Sequence, residues 1–573
     1  MIKARIKAEN SKANIGSYKE TYRSFSWDDI YKEFTWHETG LVNIAYEAVD
    51  RWAEDPEKAD KEALVFEKGS ERVAFTYSEL KEQSAVWAGL LCDKGFKQGD
   101  RLLIFLVPCP EIYLAILACA RLGVIFCPLY SSMGFDELED RISNADPLGI
   151  LTQPDLAENL PTEVMGNVRH TLYTQGPLPG LFNGEDLVSD GLRQVRGGGD
   201  IKWLSLDSPL YLIHTSGSTG PPKGVLHCHG DMSSHLISAR YALDVTQDTV
   251  LWTDGNPAWI TGTVYSTFAP WLCCATSVVQ GAPFTASNWY RTLETSRVTV
   301  WYTTPMTVGK LMEAGEDLPT RYDCSNLKHI ATVGEALVPE LFYWLKKNLK
   351  HSPHDTWWMS ESGSICISNF PSMDIKPGSM GRPLPGIEAD IVDEEGNRLP
   401  LLTMGQLALK TPWPSLMKTI WREDLRYQAY FTKTGWFLTG DMALKDEQGY
   451  FYHQGRMDDL IKVGDKLLGP YEIEHILCQH PSVLEAAVIS KSAEQSSPHL
   501  KAFITLQRGN VPSSRMSQEI KAFVKANLSP DTPLKEVEFC ERLPKTNAGK
   551  LLRRVLRARE LGLPGGDPTL MKG

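Results

Sequence analysis

The sequence predicts an α/β fold with a large N-terminal body and a small C-terminal domain. Short apolar runs typical of buried strands alternate with helical patterns along most of the 573 residues. This alternation indicates a largely parallel sheet that is covered on both faces. The composition changes near residues 455–470, and the roughly 115 residues that follow are enough for one small domain. We therefore predict two domains, residues 1–457 and residues 458–573.

The elements of the body follow from apolar periodicity and from the residues that begin or end helices. Residues 76–95 are predicted to form a helix that ends at Gly95. Residues 338–349 are predicted to form another, in which Pro339 suits the first turn. Strands are predicted at residues 63–67, 101–107, 209–215, 298–304, 327–334 and 354–359.

The C-terminal part of the chain has the same alternation on a smaller scale. Its first helix is predicted to begin at Pro470, a residue that suits the start of a helix. Helices are predicted at residues 470–480 and 517–528, and strands at residues 484–490, 501–506 and 535–540. The pattern predicts a compact α/β domain.

The charge balance excludes some classes of partner. Lys and Arg total 59 and Asp and Glu total 71, so the formal net charge is −12. This balance disfavours a nucleic-acid coat or a basic membrane binder. The most apolar stretch, residues 101–130, is interrupted by Pro108, Pro110 and Arg121, so no membrane span is predicted. We expect partners that are neither nucleic acid nor membrane.

Cysteine usage and the N-terminus indicate a reducing compartment. The chain has 11 cysteines, and they match neither a zinc-site spacing nor the density of a disulfide scaffold. The first twenty residues are basic but contain no apolar core, so no signal peptide is expected. A cytoplasmic location is therefore predicted.

A segment rich in glycine and hydroxyl groups follows the predicted strand at residues 209–215. It reads TSGSTGPPKG over residues 215–224. Glycines allow tight turns that bring backbone N–H groups near a ligand, the hydroxyls add donors, and the lysine adds a positive charge, which together suit an oligophosphate. The candidate ligands are Thr215, Ser216, Gly217, Ser218, Thr219, Gly220 and Lys223. The Walker A template is not matched, which disfavours a P-loop ATPase or a kinase.

Five further motifs follow in the order typical of one family. They are TVGEA (332–336), DTWWMSESG (355–363), GWFLTGD (435–441), GRMDD (455–459) and PKTNAGK (544–550). With the glycine-rich segment they resemble the signatures of the adenylate-forming enzymes, which include acyl-CoA synthetases, luciferases and peptide-synthetase adenylation domains. Within that family the chain is similar to AMP-forming acetyl-CoA synthetases. The resemblance implies a multi-sheet adenylation body and a small, mobile α/β C-terminal domain.

The resemblance implies a nucleotide site for ATP with Mg²⁺. Gly334, Glu335 and Ala336 would line the adenine. Asp441 would accept hydrogen bonds from the ribose hydroxyls, assisted by Arg456. Ser360 would reach the α-phosphate, and Glu361 would contact Mg²⁺, which is commonly held by one or two carboxylates plus phosphates. The implied site also includes Asp355, Thr356, Trp357, Trp358 and Met359.

The family runs two half-reactions, and the resemblance assigns residues to each. Lys550 would be the catalytic residue of the first, because an ammonium stabilises the charge that develops on the phosphoryl oxygens. The first half-reaction makes an acyl-adenylate and pyrophosphate, and the second transfers the acyl group to coenzyme A. Asp458 would be the hinge about which the C-terminal domain rotates between them.

The resemblance also implies a small acyl pocket. It would be lined by Trp259, Ile260, Thr261, Gly262, Val333 and Trp358. In acetyl-CoA synthetases a tryptophan at the position of Trp358 closes the pocket behind a short acyl chain. We therefore expect acetate to be preferred, propionate to be tolerated and hexanoate to be rejected.

The sequence departs from the family pattern after Asp458. The family usually has an Arg here, preceded by a Gly, whereas this chain reads LIKVGDKLLG over residues 460–469. Aligned without a gap, Asp465 and Leu467 take those places. With a shift of one residue Gly464 and Lys466 take them instead, and because this alignment retains a flexible residue and a cation, we take these two as the expected coenzyme A contacts. A lysine lacks the two-pronged fork with which arginine binds phosphate. Ala336 also replaces a Pro that is frequent in acetate-specific relatives.

Two alternatives to an acetate–CoA ligase remain open. One is a related ligase for propionate or another short or branched acid. The other, from a different class, is a nucleotide-binding sensor that has lost turnover, which the altered segment after Asp458 motivates and Lys550 opposes. In each case the expected partners are small molecules.

Overall fold

The computed structural model describes most of the chain and divides it into two compact units. It describes all residues except 1–4, 9–11, 175–184, 189–190, 193–194, 196–198, 216–221, 458–460, 464–465, 469, 494–495, 528–531, 533, 546–550 and 561–573. The first unit consists mainly of Met1–Gly217, Pro221–Glu388 and Lys410–Ala429. The second consists mainly of Ala389–Leu409 and Tyr430–Gly573. The boundary at residues 457 and 458 stays a prediction.

The strands of the described residues form five sheets. In chain order they are β1 (Glu62–Lys68), β2 (Glu71–Thr76), β3 (Arg101–Phe105), β4 (Ile125–Leu129), β5 (Gly149–Thr152), β6 (His170–Tyr173), β7 (Glu185–Leu187), β8 (Pro209–Thr215), β9 (Lys223–Cys228), β10 (Val250–Thr253), β11 (Thr276–Gln280), β12 (Val300–Thr303), β13 (His329–Thr332), β14 (His354–Trp357), β15 (Ile367–Ser368), β16 (Arg382–Pro383), β17 (Ala389–Val392), β18 (Gly405–Lys410), β19 (Thr419–Ile420), β20 (Trp436–Lys445), β21 (Phe451–Arg456), β22 (Ile461–Val463), β23 (Lys466–Leu468), β24 (Val483–Ala493), β25 (Ser496–Leu506) and β26 (Leu534–Phe539).

Helices connect most of these strands. The described α-helices are α1 (Tyr18–Ser24), α2 (Trp27–Tyr31), α3 (Trp36–Thr39), α4 (Arg51–Ala53), α5 (Tyr77–Asp93), α6 (Pro110–Leu122), α7 (Phe135–Ala145), α8 (Pro154–Ala157), α9 (Met232–Ala242), α10 (Ile260–Thr263), α11 (Ala269–Leu272), α12 (Ala286–Thr295), α13 (Pro305–Glu313), α14 (Pro339–Leu349), α15 (Asp424–Gln428), α16 (Pro470–Cys478), α17 (Ser514–Asn527) and α18 (Arg553–Glu560). Short 3₁₀ turns form at Thr162–Asn167, His229–Asp231, Pro319–Arg321 and Ser360–Ser362, and π-helical turns at Tyr46–Asp50 and Val264–Phe268. No helix of the described chain has both the length and the apolarity needed to cross a membrane.

The largest sheet of the first unit has nine strands. Their order is β16-β15-β14-β13-β12-β10-β11-β1-β2, and the run from β14 to β1 is parallel throughout. The register places Trp252 opposite Trp301 and Trp301 opposite Ile330. The two indoles stack with ring centroids 5.9 Å apart, inside an apolar cluster packed against α12, α13 and α14. This core fixes how the central strands align.

The second sheet of the first unit has eight strands. Their order is β19-β9-β8-β4-β3-β5-β6-β7, and β4, β3, β5, β6 and β7 are parallel. Strands β8 and β9 form an antiparallel pair in which Thr215 lies opposite Lys223. The glycine-rich segment connects these two strands.

The second unit contains a four-stranded sheet, β17-β18-β20-β21, and a three-stranded sheet, β24-β25-β26, besides the β22-β23 pair. In the three-stranded sheet β24 and β25 are antiparallel, whereas β25 and β26 are parallel. Helices α16 and α17 cover it through an apolar cluster that includes Ile473, Val488, Ile504 and Ile520.

The structure confirms the α/β class and a large multi-sheet body with a smaller C-terminal part. The helix predicted at residues 76–95 is α5, and its first turn is closed by a capping box between Thr76 and Glu79. Gly95 follows it with a φ of +81°. The strand predicted at residues 327–334 is shorter and spans His329–Thr332. Gly334 lies beyond its end with a φ of +98°, which is outside the range of a strand.

Candidate active site

Residues that follow three strands of the nine-stranded sheet lie at one of its edges. Strands β10, β12, β13 and β14 are parallel neighbours, so the residues that follow them lie at the same edge. Ligands of such sheets bind beyond the carboxyl ends of the strands. Asp254 follows β10, Val333 and Gly334 follow β13, and Trp358 follows β14.

Gly334 brings the segment predicted to line the adenine next to the predicted acyl pocket. A Cβ atom at Gly334 would lie 3.3 Å from the indole of Trp259. The positive φ of Gly334 favours glycine, and a larger residue there would crowd the indole of Trp259. Gly334 and Glu335 are exposed and Ala336 is half-buried, so a ligand can reach this segment.

Asp355 holds both ends of the same segment through hydrogen bonds. Its Oδ1 accepts a hydrogen bond from the Thr332 hydroxyl at 2.8 Å, and its Oδ2 accepts one from the Leu337 backbone N–H at 3.4 Å. The carboxyl group is buried, and burial raises its pKa to about 7 because the charged form loses its hydration. Asp355 therefore closes the loop formed by residues 333–336.

Trp357 and Trp358 are adjacent in sequence but differ in environment. Trp357 is buried in β14, whereas Trp358 is half-buried and keeps part of its indole open. The Trp358 Nε1–H donates to the Tyr302 hydroxyl at 3.0 Å. The ring of Tyr265 meets the indole edge to face with centroids 5.3 Å apart. Trp358 can therefore form one wall of a pocket.

The remaining predicted acyl-pocket residues lie on α10 and at the end of β13. Thr261 is 1% exposed, and its hydroxyl has no hydrogen-bond partner among the described residues. Gly262 packs so closely on the preceding loop that a Cβ atom would lie 2.2 Å from the Asn256 carbonyl oxygen. Ile260 and Val333 are buried. An unpartnered hydroxyl among apolar neighbours suits a ligand that has an apolar part and a polar group.

A buried ion pair joins a predicted phosphate ligand to the predicted Mg²⁺ contact. The Lys223 ammonium contacts the Glu361 carboxylate, and both side chains are buried. Lys223 begins β9 and Glu361 lies in the 3₁₀ turn after β14. The nearby Thr215 hydroxyl is buried with no hydrogen-bond partner among the described residues. A cation, a carboxylate and a free hydroxyl together can bind phosphate and a divalent cation.

The backbone of the turn that carries Ser360 and Glu361 is held by residues that the sequence did not single out. The His227 Nε2–H donates to the Ser360 carbonyl at 2.7 Å, and Nδ1 of the same ring lies 2.6 Å from Asp231. The Met417 N–H donates to the Glu361 carbonyl at 2.9 Å. The only sequence signal for His227 is its position in the strand after the glycine-rich segment.

Asp254 is a half-buried acid that the sequence did not single out. Its Oδ2 accepts a hydrogen bond from the Thr303 hydroxyl at 2.7 Å, and burial raises its pKa to about 6. It stands at the carboxyl end of β10, at the start of the loop that leads to Trp259. The sequence signal that could have identified Asp254 is an apolar run, typical of a parallel strand, that ends in Asp.

In the second unit, the two residues predicted to contact the ribose are paired. Asp441 on β20 lies opposite Arg456 on β21, and Arg456 Nη1 is 3.0 Å from Asp441 Oδ1. Gly440 has a φ of +74°, and a Cβ atom there would lie 3.2 Å from the guanidinium. His453 Nε2 is 3.8 Å from Asp441 Oδ2. The guanidinium thus orients the carboxylate while the imidazole stands beside its other oxygen.

Several predicted residues lie outside the described residues. They are Ser216, Gly217, Ser218, Thr219, Gly220, Asp458, Gly464 and Lys550. Lys466 is described only as part of β23, where Val463 pairs with it. The assigned roles of all these residues stay predictions.

Comparisons with known proteins agree with the resemblance carried by the motifs. The AMP-binding enzyme family matches residues 49–421, and the AMP-binding enzyme C-terminal domain matches residues 472–550. An acetyl-coenzyme A synthetase of Bacillus subtilis (strain 168) is 42% identical over 562 residues, 98% of either chain. One from Methanothrix soehngenii is 33% identical over 589 residues, 97% of this chain and 87% of the relative. The crystal structure of an anthranilate CoA ligase in complex with anthranoyl-AMP has a TM-score of 0.81 at 25% identity, over 91% of this chain and 98% of that one.

The raised pKa of Asp355 predicts a pH-dependent stability. The group has a pKa of about 7 when folded against an ordinary value of 3.8, so between these values the folded protein holds a proton that the unfolded chain has lost. The free energy of unfolding then falls as the pH rises from about 4 to about 7. Relative to the Asp355→Asn variant, the protein should lose about 1–4 kcal/mol over this window, measured by urea unfolding at several pH values.

The control is Asp393→Asn. Backbone N–H groups, first that of Asn397, lower the pKa of the Asp393 carboxyl. The free energy of unfolding of this variant should therefore change with pH between pH 4 and pH 7 as that of the parent protein does. A constant stability difference between Asp355→Asn and the parent over that range would contradict the prediction.

Proposed function

Because this chain belongs to the AMP-binding enzyme family, we propose that it is an AMP-forming acetate–CoA ligase. In the first half-reaction an acetate oxygen attacks the α-phosphorus of ATP, which forms acetyl-AMP and releases pyrophosphate. In the second, the thiol of coenzyme A attacks the acetyl carbonyl and AMP leaves. The two half-reactions are reversible chemistry, so the same site can also consume acetyl-CoA.

The observation that carries this proposal is the placement of Trp358. Its indole follows β14 at the carboxyl edge of the sheet, half-buried and in contact with two tyrosines. A large rigid ring in that place limits the length of the acyl chain sterically. The 42% identity to an acetyl-coenzyme A synthetase over nearly the whole chain supports the same substrate.

In the proposed first half-reaction, described residues would bind and orient the nucleotide. The segment at Gly334 would receive the adenine and Asp441 the ribose hydroxyls, since a carboxylate accepts two hydrogen bonds well. Lys223 and the Thr215 hydroxyl would contact phosphate. Lys550 would be the catalytic cation, because it would neutralise the charge that accumulates on the α-phosphate as two anions approach.

The donor set around Glu361 fits a Mg²⁺ ion held largely by the phosphates of ATP. No group of three or more acidic, His or Cys side chains in the described part of the chain could hold a metal by itself. One buried carboxylate is present, and Mg²⁺ usually takes one or two with substrate phosphates. When bound, Mg²⁺ would neutralise phosphate charge. Lys223 would hold the carboxylate of Glu361 in place until then.

The second half-reaction is assigned to the C-terminal part of the chain. We propose residues 458–573 as the mobile domain, Asp458 as its hinge, and Gly464 and Lys466 as coenzyme A contacts. A lysine in place of the family's arginine would give a single point charge instead of a two-pronged contact with phosphate. The family match at residues 472–550 supports a separate C-terminal module.

The proposed partners are small molecules in a reducing compartment. Acetate, ATP and coenzyme A are the proposed substrates. All 11 cysteines are free thiols, which supports the cytoplasm as the location.

The proposal is tested by acid-dependent AMP release from ATP, Mg²⁺ and coenzyme A. Acids of two to eight carbons and benzoate should give a maximum at acetate, a lower rate with propionate and almost none with hexanoate. A maximum at a longer or aromatic acid would support the ligase activity but contradict the proposal that Trp358 limits the acyl chain. If none of these acids supports AMP release, the acetate ligase is rejected, in favour of a ligase for a different acid or a sensor without turnover.

Lys550→Ala should separate the two half-reactions. Acetate-dependent exchange of pyrophosphate into ATP should fall by at least about 100-fold, since removing one preorganised charge-stabilising group typically costs that much. Transfer of the acetyl group from pre-made acetyl-AMP to coenzyme A should stay within about threefold of the parent rate. The control is Lys535→Ala, because Lys535 is exposed on β26. Equal loss in both assays would reject the role of Lys550.

Trp358→Gly should lengthen the accepted acyl chain. Removing the indole opens the end of the pocket, so kcat/KM for four- to six-carbon acids should rise relative to acetate by at least about tenfold, the discrimination typical of one methylene. The control is Trp203→Gly, which removes an indole that is 41% exposed. An unchanged preference for acetate in Trp358→Gly would show that another residue limits chain length.

A further inference from the structure

A continuous chain of hydrogen bonds leads from Trp358 into the centre of the nine-stranded sheet. The Trp358 Nε1–H lies 3.0 Å from the Tyr302 hydroxyl oxygen. That oxygen lies 2.8 Å from the Thr356 hydroxyl, which in turn lies 2.7 Å from the Thr332 carbonyl oxygen. The chain thus joins the candidate wall of the pocket to strand β13, one residue before Val333.

The direction of each hydrogen bond in this chain is fixed by chemistry. An indole N–H can only donate, and a carbonyl oxygen can only accept. The single hydroxyl hydrogen of Thr356 is therefore committed to the Thr332 carbonyl, so Thr356 accepts from Tyr302. Tyr302 in turn accepts from Trp358. Each hydrogen bond in the series therefore has only one possible direction. Removing the Tyr302 hydroxyl would remove the acceptor that this series provides for the indole N–H.

The register of the sheet explains how Tyr302 reaches Thr356 across an intervening strand. Tyr302 on β12 lies opposite Ala331 on β13, and Ala331 lies opposite His354 on β14. Side chains of residues two apart point to the same face of a strand, so Tyr302, Ala331 and Thr356 share one face. A small alanine between them leaves room for the tyrosine to extend over β13.

A second tyrosine limits the indole in another direction. Tyr265, in the π-helical turn Val264–Phe268, packs edge to face on Trp358 and on Tyr302, with interplanar angles of 80° and 82°. Its own hydroxyl lies 2.7 Å from Ser238 and accepts the Ile365 backbone N–H at 3.0 Å. Both tyrosines are fully buried, whereas Trp358 is half-buried. The indole is therefore fixed from inside and open on the outside.

We propose that Tyr302 is a positioning residue that sets the acyl-chain specificity of this site by fixing the orientation of Trp358. The inference rests on the proposed function, because it assigns to Tyr302 a role in that ligase's acid pocket. A steric wall discriminates by chain length only as far as it resists displacement. Tyr302 supplies that resistance through one directed hydrogen bond, without contacting the acid itself.

The test is the kcat/KM of Tyr302→Phe for butyrate and for acetate, measured by AMP release. Phenylalanine keeps the ring that packs on Tyr265 and removes only the hydroxyl. We expect the ratio of butyrate to acetate to rise by at least about tenfold, while the thermal unfolding midpoint shows that the variant is folded. The matched control is Tyr290→Phe, because the Tyr290 hydroxyl is also buried but has no hydrogen-bond partner among the described residues. Its ratio should not change.

A double-mutant cycle separates positioning from general damage to the fold. In the Trp358→Phe background the ring has no N–H to donate, so adding Tyr302→Phe should change the ratio by less than about twofold. An equal shift in both backgrounds would overturn the inference, and so would a folded Tyr302→Phe variant with the parent ratio. If Tyr302→Phe does not fold, Thr356→Val, which removes the acceptor of Tyr302, should shift the ratio in the same direction, and an unchanged ratio would overturn the inference.

Failure of the inference is distinct from failure of the proposed function. If no acid of the panel supports AMP release by the parent protein, the proposed acetate ligase is rejected, and Tyr302 has no acetate specificity to set. If the parent protein is active and prefers acetate, only the comparison of Tyr302→Phe with Tyr290→Phe decides the inference.

Discussion

The parallel alignment of β10, β12, β13 and β14 is the constraint on which the first unit's candidate site depends. It places the residues that follow four strands at one edge, so that segments far apart in sequence become neighbours. The stacked Trp252 and Trp301 hold the alignment in the core. A slip of one residue would turn every side chain of a strand to the other face. Trp358 would then lose its hydrogen bond to Tyr302, and Asp355 would lose its hydrogen bond from Thr332.

The candidate site also contains polar groups that are buried away from solvent, where the dielectric constant is low. Lys223 with Glu361, Asp355 with Thr332 and the hydroxyls of Thr215 and Thr261 are buried. Burying a charge is costly unless it is paired. Among the described residues the ion pair satisfies the charges of Lys223 and Glu361, and the hydroxyls of Thr215 and Thr261 have no hydrogen-bond partner. A ligand would therefore find donors that need little rearrangement. Fixed donors and charges of this kind stabilise developing charge more strongly than mobile water does.

The sequence predicted the elements that depend on local pattern. The helix at residues 76–95 and the strand at residues 209–215 were found because their apolar spacing and end residues are read along the chain. The pairing of Lys223 with Glu361 could not be predicted, because it depends on how two sheets pack. Tyr302 was part of a predicted strand, VTVWYTT, in which it resembled any other buried aromatic residue. Its role follows only from the register across three strands.

The hydrogen-bond chain also explains why an aromatic wall suits the recognition of a very small acid. Acetate offers one methyl group beyond its carboxylate, so favourable contacts can distinguish it from longer acids only weakly, by about 1–3 kcal/mol per methylene. Rejection must come from repulsion, and repulsion requires a wall that does not move. A half-buried indole alone can turn about its side-chain bonds. Joining its only polar atom to the sheet through Tyr302 and Thr356 converts a flexible ring into part of the sheet's framework, and specificity then depends on a hydroxyl that the acid never touches.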